Sequence, residues 1–178
     1  MKRSAIGALK PDVRGKTVRV VIETPKHGHN KFAFDPAIQA FTLSAVLPVG
    51  ASFPFDFGFI PRTKGGDGDP LDVLLLMDEP AFPGCVVEAR LVGVIEALQT
   101  KKGKKMRNDR LIGVASESHL HRSVKSIRDV DPKLLDQIED FFENYNEMKG
   151  ERFEARGRHG PKRARALLDE GLRAARKD

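Results

Sequence analysis

The sequence predicts an α+β domain: a closed or nearly closed β-barrel of short strands, with two helices packed on its flank. Three observations point there. Through the first two thirds of the chain, β-branched, aromatic and aliphatic residues fall in short runs, several alternating at period two. Over the last third the apolar period lengthens to that of helices. No internal repeat or low-complexity linker divides the 178 residues, so a single domain over residues 1–178 is expected.

The elements follow in order. Val18 to Glu23 is β-branched and stops before Pro25. Lys31 to Asp35 and Ile38 to Leu43 flank an Asp35-Pro36 turn and read as a hairpin. Phe53, Phe55, Phe57 and Phe59 alternate with Pro54, Asp56, Gly58 and Ile60, which puts four rings on one face of a strand. Leu71 to Met77 is almost continuously apolar, the mark of a strand buried on both sides. Val86 to Leu98 and Arg110 to Ala115 bracket a basic loop and form a long hairpin. Leu134, Leu135, Ile138, Phe141, Phe142 and Tyr145 then make one helical stripe, with Asp131 as N-cap, Pro132 at the first helical position and Gly150 as the stop. A second helix is expected over Arg163 to Lys177, with Ala166, Leu167, Leu172 and Ala175 inward.

Composition narrows the function classes. The chain is 40% hydrophobic and 31% charged, which excludes a wholly disordered chain. A single cysteine, Cys85, excludes an internal disulfide framework and a multi-cysteine zinc site, and reads as a small packed residue. The longest unbroken apolar run, Val73 to Met77, falls far short of the roughly 20 residues of a membrane span. Lys2 and Arg3 are followed by Gly7, Lys10, Pro11 and Asp12, which interrupt any signal-like apolar stretch, so a cytoplasmic protein with no membrane partner is expected. The net charge of +6 is concentrated. Lys101 to Arg110 carries +5, Lys149 to Asp178 carries another +5, and the rest of the chain balances to −4. Such patches suit an anionic partner, a phosphate-rich small molecule before nucleic acid; solvated loops and helix ends account for them equally simply.

The sharpest local feature is Asp67-Gly68-Asp69-Pro70-Leu71-Asp72, preceded by Gly65-Gly66 and followed by the buried strand. Three carboxylates stand at the mouth of one strand. Pro70 forbids a regular helix there, and the glycines allow a turn tight enough to gather side chains. Clustered like charges cost free energy unless a cation neutralises them, and Mg²⁺ favours one or two carboxylates together with phosphate oxygens and water. A solvated turn explains the same residue types. His27 and His29 read as a polar loop pair rather than a metal site.

The run Phe53-Pro-Phe-Asp-Phe-Gly-Phe-Ile60 followed by Asp67-Gly-Asp-Pro-Leu-Asp-Val73 resembles the signature of the soluble family I inorganic pyrophosphatases. The resemblance extends to Val21-Ile-Glu-Thr-Pro25, Pro83-Gly84, Arg90-Leu-Val-Gly-Val94 and Phe141-Phe-Glu-Asn-Tyr145. It implies a five-stranded, OB-like closed barrel with additional strands and two flanking α-helices. It also implies hydrolysis of pyrophosphate, or another small phosphoanhydride, with Mg²⁺ as cofactor, in a homo-oligomer, commonly a hexamer. Carried over position by position, Asp67, Asp72 and Glu23 bind metal, and Asp69 helps deprotonate the attacking water. Lys31 and Tyr145 hold phosphate and act in catalysis, and Arg110 binds substrate.

Elsewhere the chain departs from the family pattern. Ala33, Ala45, Phe57 and Asn146 replace a glutamate, an arginine, a tyrosine and a lysine. Two metal-binding aspartates of the long hairpin read as Gln99 and Asn108, Asn108 being the expected metal ligand in preference to Asp109. Each amide removes a full negative charge, so fewer cations than the family's full set are expected. Lys101, Lys102, Lys104, Lys105 and Arg107 at the hairpin tip are candidates to contact phosphate directly in their place; a flexible solvated tip is the simpler alternative. The competing functional readings are a degenerate relative that binds phosphate-containing ligands with little turnover, and a nucleic-acid-binding barrel that uses the basic patches and stacked rings.

Overall fold

The computed structural model describes residues 5–13 and 17–177; Lys2, Arg3 and Asp178 lie outside them. A helical turn, α1 (Ala5–Ala8), leads into the strands β1 (Asp12–Val13), β2 (Thr17–Thr24), β3 (Asn30–Asp35), β4 (Ala40–Val46), β5 (Asp56–Phe59) and β6 (Asp72–Leu76). There follow β7 (Val86–Lys101), β8 (Lys104–Arg107), β9 (Arg110–Ala115), a 3₁₀ turn at Ile127–Asp129, α2 (Pro132–Glu147), β10 (Arg152–His159) and α3 (Pro161–Ala174). The fold is a sheet-rich α+β arrangement with two long helices.

The main sheet runs β1-β2-β5-β6-β9-β7-β10, and β2 is bonded to β7 as well as to β5. Among the described residues only β6 and β9 pair in parallel, with Val73 opposite Leu111. β3 and β4 form a separate two-stranded ribbon. β7 is long enough to pair with β2 through Val86–Ala89, with β9 through Ala89–Ile95 and with β10 through Val94–Thr100.

β6 explains its own composition. Leu74 and Leu76 enter one core, with Phe53, Phe55, Phe57, Ile112 and the α2 residues Leu135, Ile138 and Phe142. Val73 and Leu75 enter the other, with Val20, Ile22, Ile60, Leu111 and the α3 residues Ala164, Leu167 and Leu168. Both faces are covered, so alternation gives way to a continuous apolar run. Each fully buried aliphatic side chain stabilises the fold by roughly 1.5–3 kcal/mol. Phe53, Phe55, Phe57 and Phe59 are all buried, so these rings are core and offer no stacking platform for bases. Cys85 is half-buried against the second core, and the His29 ring is hydrogen-bonded to the Ala51 carbonyl at 2.7 Å.

Several boundaries differ from the sequence reading. The turn between β3 and β4 is longer than Asp35-Pro36: the Asp35 carboxylate accepts from Ala37 N–H, and Gln39 takes φ +58°, which delays β4 to Ala40. The segment Lys101 to Arg110 is no loop, because β8 pairs back on β7 and leaves only Lys102-Gly103 at the tip. α2 begins as expected, with Asp131 accepting from Lys133 N–H at 2.9 Å and Pro132 next. It ends at Glu147, and Gly150 at φ +70° reverses the chain into β10. β10 was not foreseen; its alternate charges (Arg152, Glu154, Arg156, Arg158) masked a strand. α3 starts at Pro161 and buries Ala164, Leu167, Leu168 and Gly171. Of the expected inward residues only Leu167 is fully buried. The helix is rotated because it meets Leu71 through the small Gly171, and Leu172 is left half-buried.

Candidate active site

One cleft of about 620 Å³ gathers Glu23 from β2, Lys31 from β3, Asp67, Asp69 and Asp72 from the β5–β6 connection and the start of β6, Asn108 and Arg110 around the start of β9, and Tyr145 from α2. These are all eight of the site residues expected from sequence.

The acidic loop is built locally. Gly65 N–H donates to Asp69 O at 2.7 Å, and Asp69 N–H donates to the Asp67 carboxylate at 3.1 Å. Gly68 sits at φ +93°, a conformation that suits glycine. Thr63, buried, accepts from Leu71 N–H at 2.9 Å and donates to Ile60 O at 2.6 Å, which fixes the entry to β6. Gly66 lies against the β8 backbone, where an added Cβ would stand 2.7 Å from Arg107 O. Gly66→Ala is therefore expected to push the acidic loop off the hairpin and cut kcat/KM about tenfold or more, a displacement near 1 Å sufficing for large rate losses; steady-state kinetics beside a melting curve checks it.

Glu23, Asp67, Asp69 and Asp72 crowd one part of the cleft. Glu23 accepts from Phe34 N–H at 2.7 Å, yet burial, with the charges of Asp72 and Asp69, pushes its carboxyl up to about 7. Burial also raises Asp67, and the Asp69 charge adds to this. Asp72 is raised by burial against the opposing pull of Arg110 and Lys31. Lys31 is lowered by burial and by Arg110, while Asp72 and Glu23 act in the other sense. Its ammonium lies 5.9 Å from the Phe57 ring centroid and 5.5 Å from that of Tyr145.

Arg110 joins this acidic group to a chain of amides. Its Nη1 donates to both Asp72 and Asn108 Oδ1, and its guanidinium lies over Phe142 (4.7 Å), Phe153 (5.4 Å) and Phe57 (5.8 Å). Asn108 Nδ2 donates to Gln99 Oε1. Gln99 Nε2 donates to Asn146 Oδ1 at 2.8 Å and to Glu151 at 2.6 Å, and Asn146 Nδ2 donates to Phe142 O at 2.7 Å. Asp109 is not among the cleft-lining residues: it accepts from Ala97 N–H at 3.0 Å and from Arg107. Arg107 also reaches Glu96 and Glu170, which ties the hairpin to α3.

Of the basic hairpin residues, only Lys101 lines the cleft. Lys102, Lys104 and Lys105 are exposed along the ribbon, and Arg107 is held in the ion pairs just named, so the expected contact of the whole tip with a ligand narrows to Lys101. Sequence reasoning missed Lys149 and Glu151. Both line the cleft from the turn between α2 and β10, and the unrecognised strand hid them.

Among the described residues, no group of three His, Cys, Asp or Glu side chains is arranged to hold a metal ion by itself. The acidic group nonetheless fits Mg²⁺, which takes one or two carboxylates and completes its shell from substrate phosphate and water. The amide chain is less suited to a cation, because its oxygens are neutral and each accepts one hydrogen bond, Asn108 Oδ1 from the Arg110 guanidinium.

A family model described as Inorganic pyrophosphatase matches residues 20–176. The inorganic pyrophosphatase of a Nostoc species is 34% identical over 157 residues, covering 88% of this chain and 90% of that one. That of Thermus thermophilus is 37% identical over 152 residues, 85% of this chain and 82% of its own. The crystal structure of an inorganic pyrophosphatase from Thermus thermophilus superposes with a TM-score of 0.90 at 32% identity, over 97% of this chain and 99% of the other. No helix among the described residues is long and apolar enough to cross a membrane.

Proposed function

The chain belongs to the inorganic pyrophosphatase family, and from that premise we propose that it hydrolyses inorganic pyrophosphate to two phosphates in this cleft. The observation that carries the reading is the convergence of four carboxylates, Lys31, Arg110 and Tyr145 on one cleft. The direct test is phosphate release from pyrophosphate with Mg²⁺; a rate no faster than without protein overturns the reading.

In this scheme Lys31, Arg110 and Tyr145 hold the phosphoryl oxygens. Lys31 and Arg110 are set against aromatic rings, whose faces attract cations and offset part of the solvation that burial removes. Asp69, exposed and free of a cationic partner among the described residues, accepts the proton of the attacking water as its oxygen bonds to phosphorus. The bridging P–O bond breaks, and the leaving phosphate carries the electron pair away. Glu23, Asp67 and Asp72 would hold the divalent cation the family uses, generally Mg²⁺. The chemistry a cation supplies when bound is neutralisation of phosphoryl charge and a lowered pKa for the water. Asn108, whose oxygen is engaged by Arg110, orients that guanidinium.

The remaining readings follow the same support. The β2–β5–β6–β9–β7 pairings return to β2, which supports a five-stranded closed barrel of OB type with β1, β8 and β10 as additional strands. The cores on either side of β6 share one strand, which supports one domain over residues 1–178. Assembly as a homo-oligomer, a hexamer by family resemblance, and a cytoplasmic location belong to the same proposal.

Glu23 gives a pH signature. A cation binds its carboxylate, so binding releases a proton wherever the free protein holds Glu23 protonated, below about 7. Mg²⁺ affinity is expected to fall by about tenfold from pH 8 to pH 6, and Glu23→Gln to flatten that dependence, as titration calorimetry would read. Without cation, the folded carboxyl is raised above its unfolded value. It therefore destabilises the fold as pH rises from about 4.5 to about 7 and keeps doing so above. Glu23→Gln should raise Tm at pH 8 and leave it unchanged at pH 4.

A further inference from the structure

We propose that Lys101 and Lys149, set on either side of Glu151, form a metal-independent anion subsite that takes a phosphoryl group of the substrate by direct ion pairing. The proposal rests on the reading of the cleft as a diphosphate site and assigns its amide-lined part.

Three observations converge. First, this part of the cleft is a poor place for a divalent cation, since the oxygens of Asn108, Gln99 and Asn146 are neutral and linked in one hydrogen-bonded chain, and its one carboxylate, Glu151, already faces two ammonium groups. A doubly charged phosphoryl group there must be neutralised by something else. Second, Glu151 is held firmly but shared thinly. Its side chain is 10% exposed, and Gln99 Nε2 binds it at 2.6 Å. Its carboxylate stands 3.7 Å from the ammonium of Lys101 and 3.7 Å from that of Lys149. Those separations are ion pairs longer than any hydrogen bond, so the three N–H donors of each ammonium are not spent on Glu151. Third, the flanking groups are already oriented. The Lys149 ammonium lies 4.8 Å from the centroid of the Tyr145 ring, beside which Lys31 also sits, and Arg110 keeps a buried Nε without a partner.

Glu151 therefore acts as a place-holder. It keeps two like charges from separating while the cleft is free, and competes weakly with an arriving phosphate. The carboxylate has one charge to share between two lysines; a tetrahedral dianion has two charges and enough oxygens for charge-assisted hydrogen bonds to both.

The test is titration of inorganic phosphate into the full chain in the presence of a chelator, followed by calorimetry. Wild type is expected to bind. Lys101→Ala and Lys149→Ala should each weaken binding by about tenfold or more, as loss of a charge-assisted hydrogen bond does. Glu151→Gln keeps an acceptor for Gln99 and removes the competing charge, so it should tighten binding several-fold. Absence of metal-free binding in wild type, affinity unmoved in the double lysine variant, or weaker binding by Glu151→Gln each overturns the subsite. Pyrophosphate hydrolysis with Mg²⁺ on the same samples separates the two ideas. Hydrolysis without metal-free phosphate binding sinks the subsite alone, and metal-free binding without hydrolysis sinks the functional reading alone.

Discussion

Replacing Asp69 by Asn is expected to lower kcat by about 100- to 10,000-fold, the usual contribution of a positioned general base, with little change in KM and no loss of thermal stability. Asp69 is exposed and is anchored through its backbone, its N–H to Asp67 and its carbonyl to Gly65. The substitution keeps those bonds and the side-chain shape. It removes a negative charge that raises the carboxyls of Glu23, Asp67 and Asp72, so Tm should stay level or rise slightly in the absence of cation. Asp67→Asn is the useful contrast, because Asp67 caps the turn by accepting from Asp69 N–H. Rates measured with saturating Mg²⁺, beside melting curves of both variants, separate a proton acceptor from a loop anchor. Full activity in Asp69→Asn would remove Asp69 from the chemistry.

Arg110→Met should cost the fold about 3–5 kcal/mol, the penalty for leaving one member of a buried ion pair uncompensated. At about 2–4 °C per kcal/mol for a chain of this size, that is roughly 6–20 °C in Tm. Arg110 is 5% exposed, so nothing in solvent replaces its bond to Asp72, and three aromatic rings lose the cation they face. The amide chain is opened at its first link, because Asn108 Oδ1 loses its donor. Arg110→Lys keeps the charge but not the planar reach to Asp72 and Asn108 together, and should fall between. Adding Asp72→Asn to Arg110→Met removes the stranded charge and should recover part of the lost stability. A double variant less stable than Arg110→Met alone would show that the pair is not what holds this region. Urea or thermal unfolding reads all four proteins.

Much of this was legible in the residues. The acidic loop announced itself because Asp, Gly and Pro have narrow backbone preferences, and β6 because burial on both faces leaves a continuous apolar run. Asp67, Asp69 and Asp72 stood out by their spacing, whereas Glu23, Lys31, Asn108, Arg110 and Tyr145 could be named only through the resemblance to the pyrophosphatases; the structure gathers all eight in one cleft. What escaped was set by tertiary context. β10 carries charges at alternate positions that satisfy neighbours such as Glu139 and Asp136, and so looked like a solvated stretch. The face of α3 was misjudged because Leu71, some 100 residues earlier in the chain, demands a small residue opposite it. Lys149 and Glu151 were invisible as site residues, since nothing local distinguishes a lysine and a glutamate after a helix from any other surface pair.

The strand that serves two cores also acts as a ruler for the acids that precede it. Because its successive side chains belong to different interiors, inserting or deleting one residue between Asp72 and Leu76 would exchange the occupants of both at once. The register of Asp72 against the strand it opens is thus protected by packing as well as by reactivity. Chains of this kind can change length at the Lys102-Gly103 tip or the Pro36–Gln39 turn far more freely than beside their carboxylates, whatever substrate those carboxylates serve.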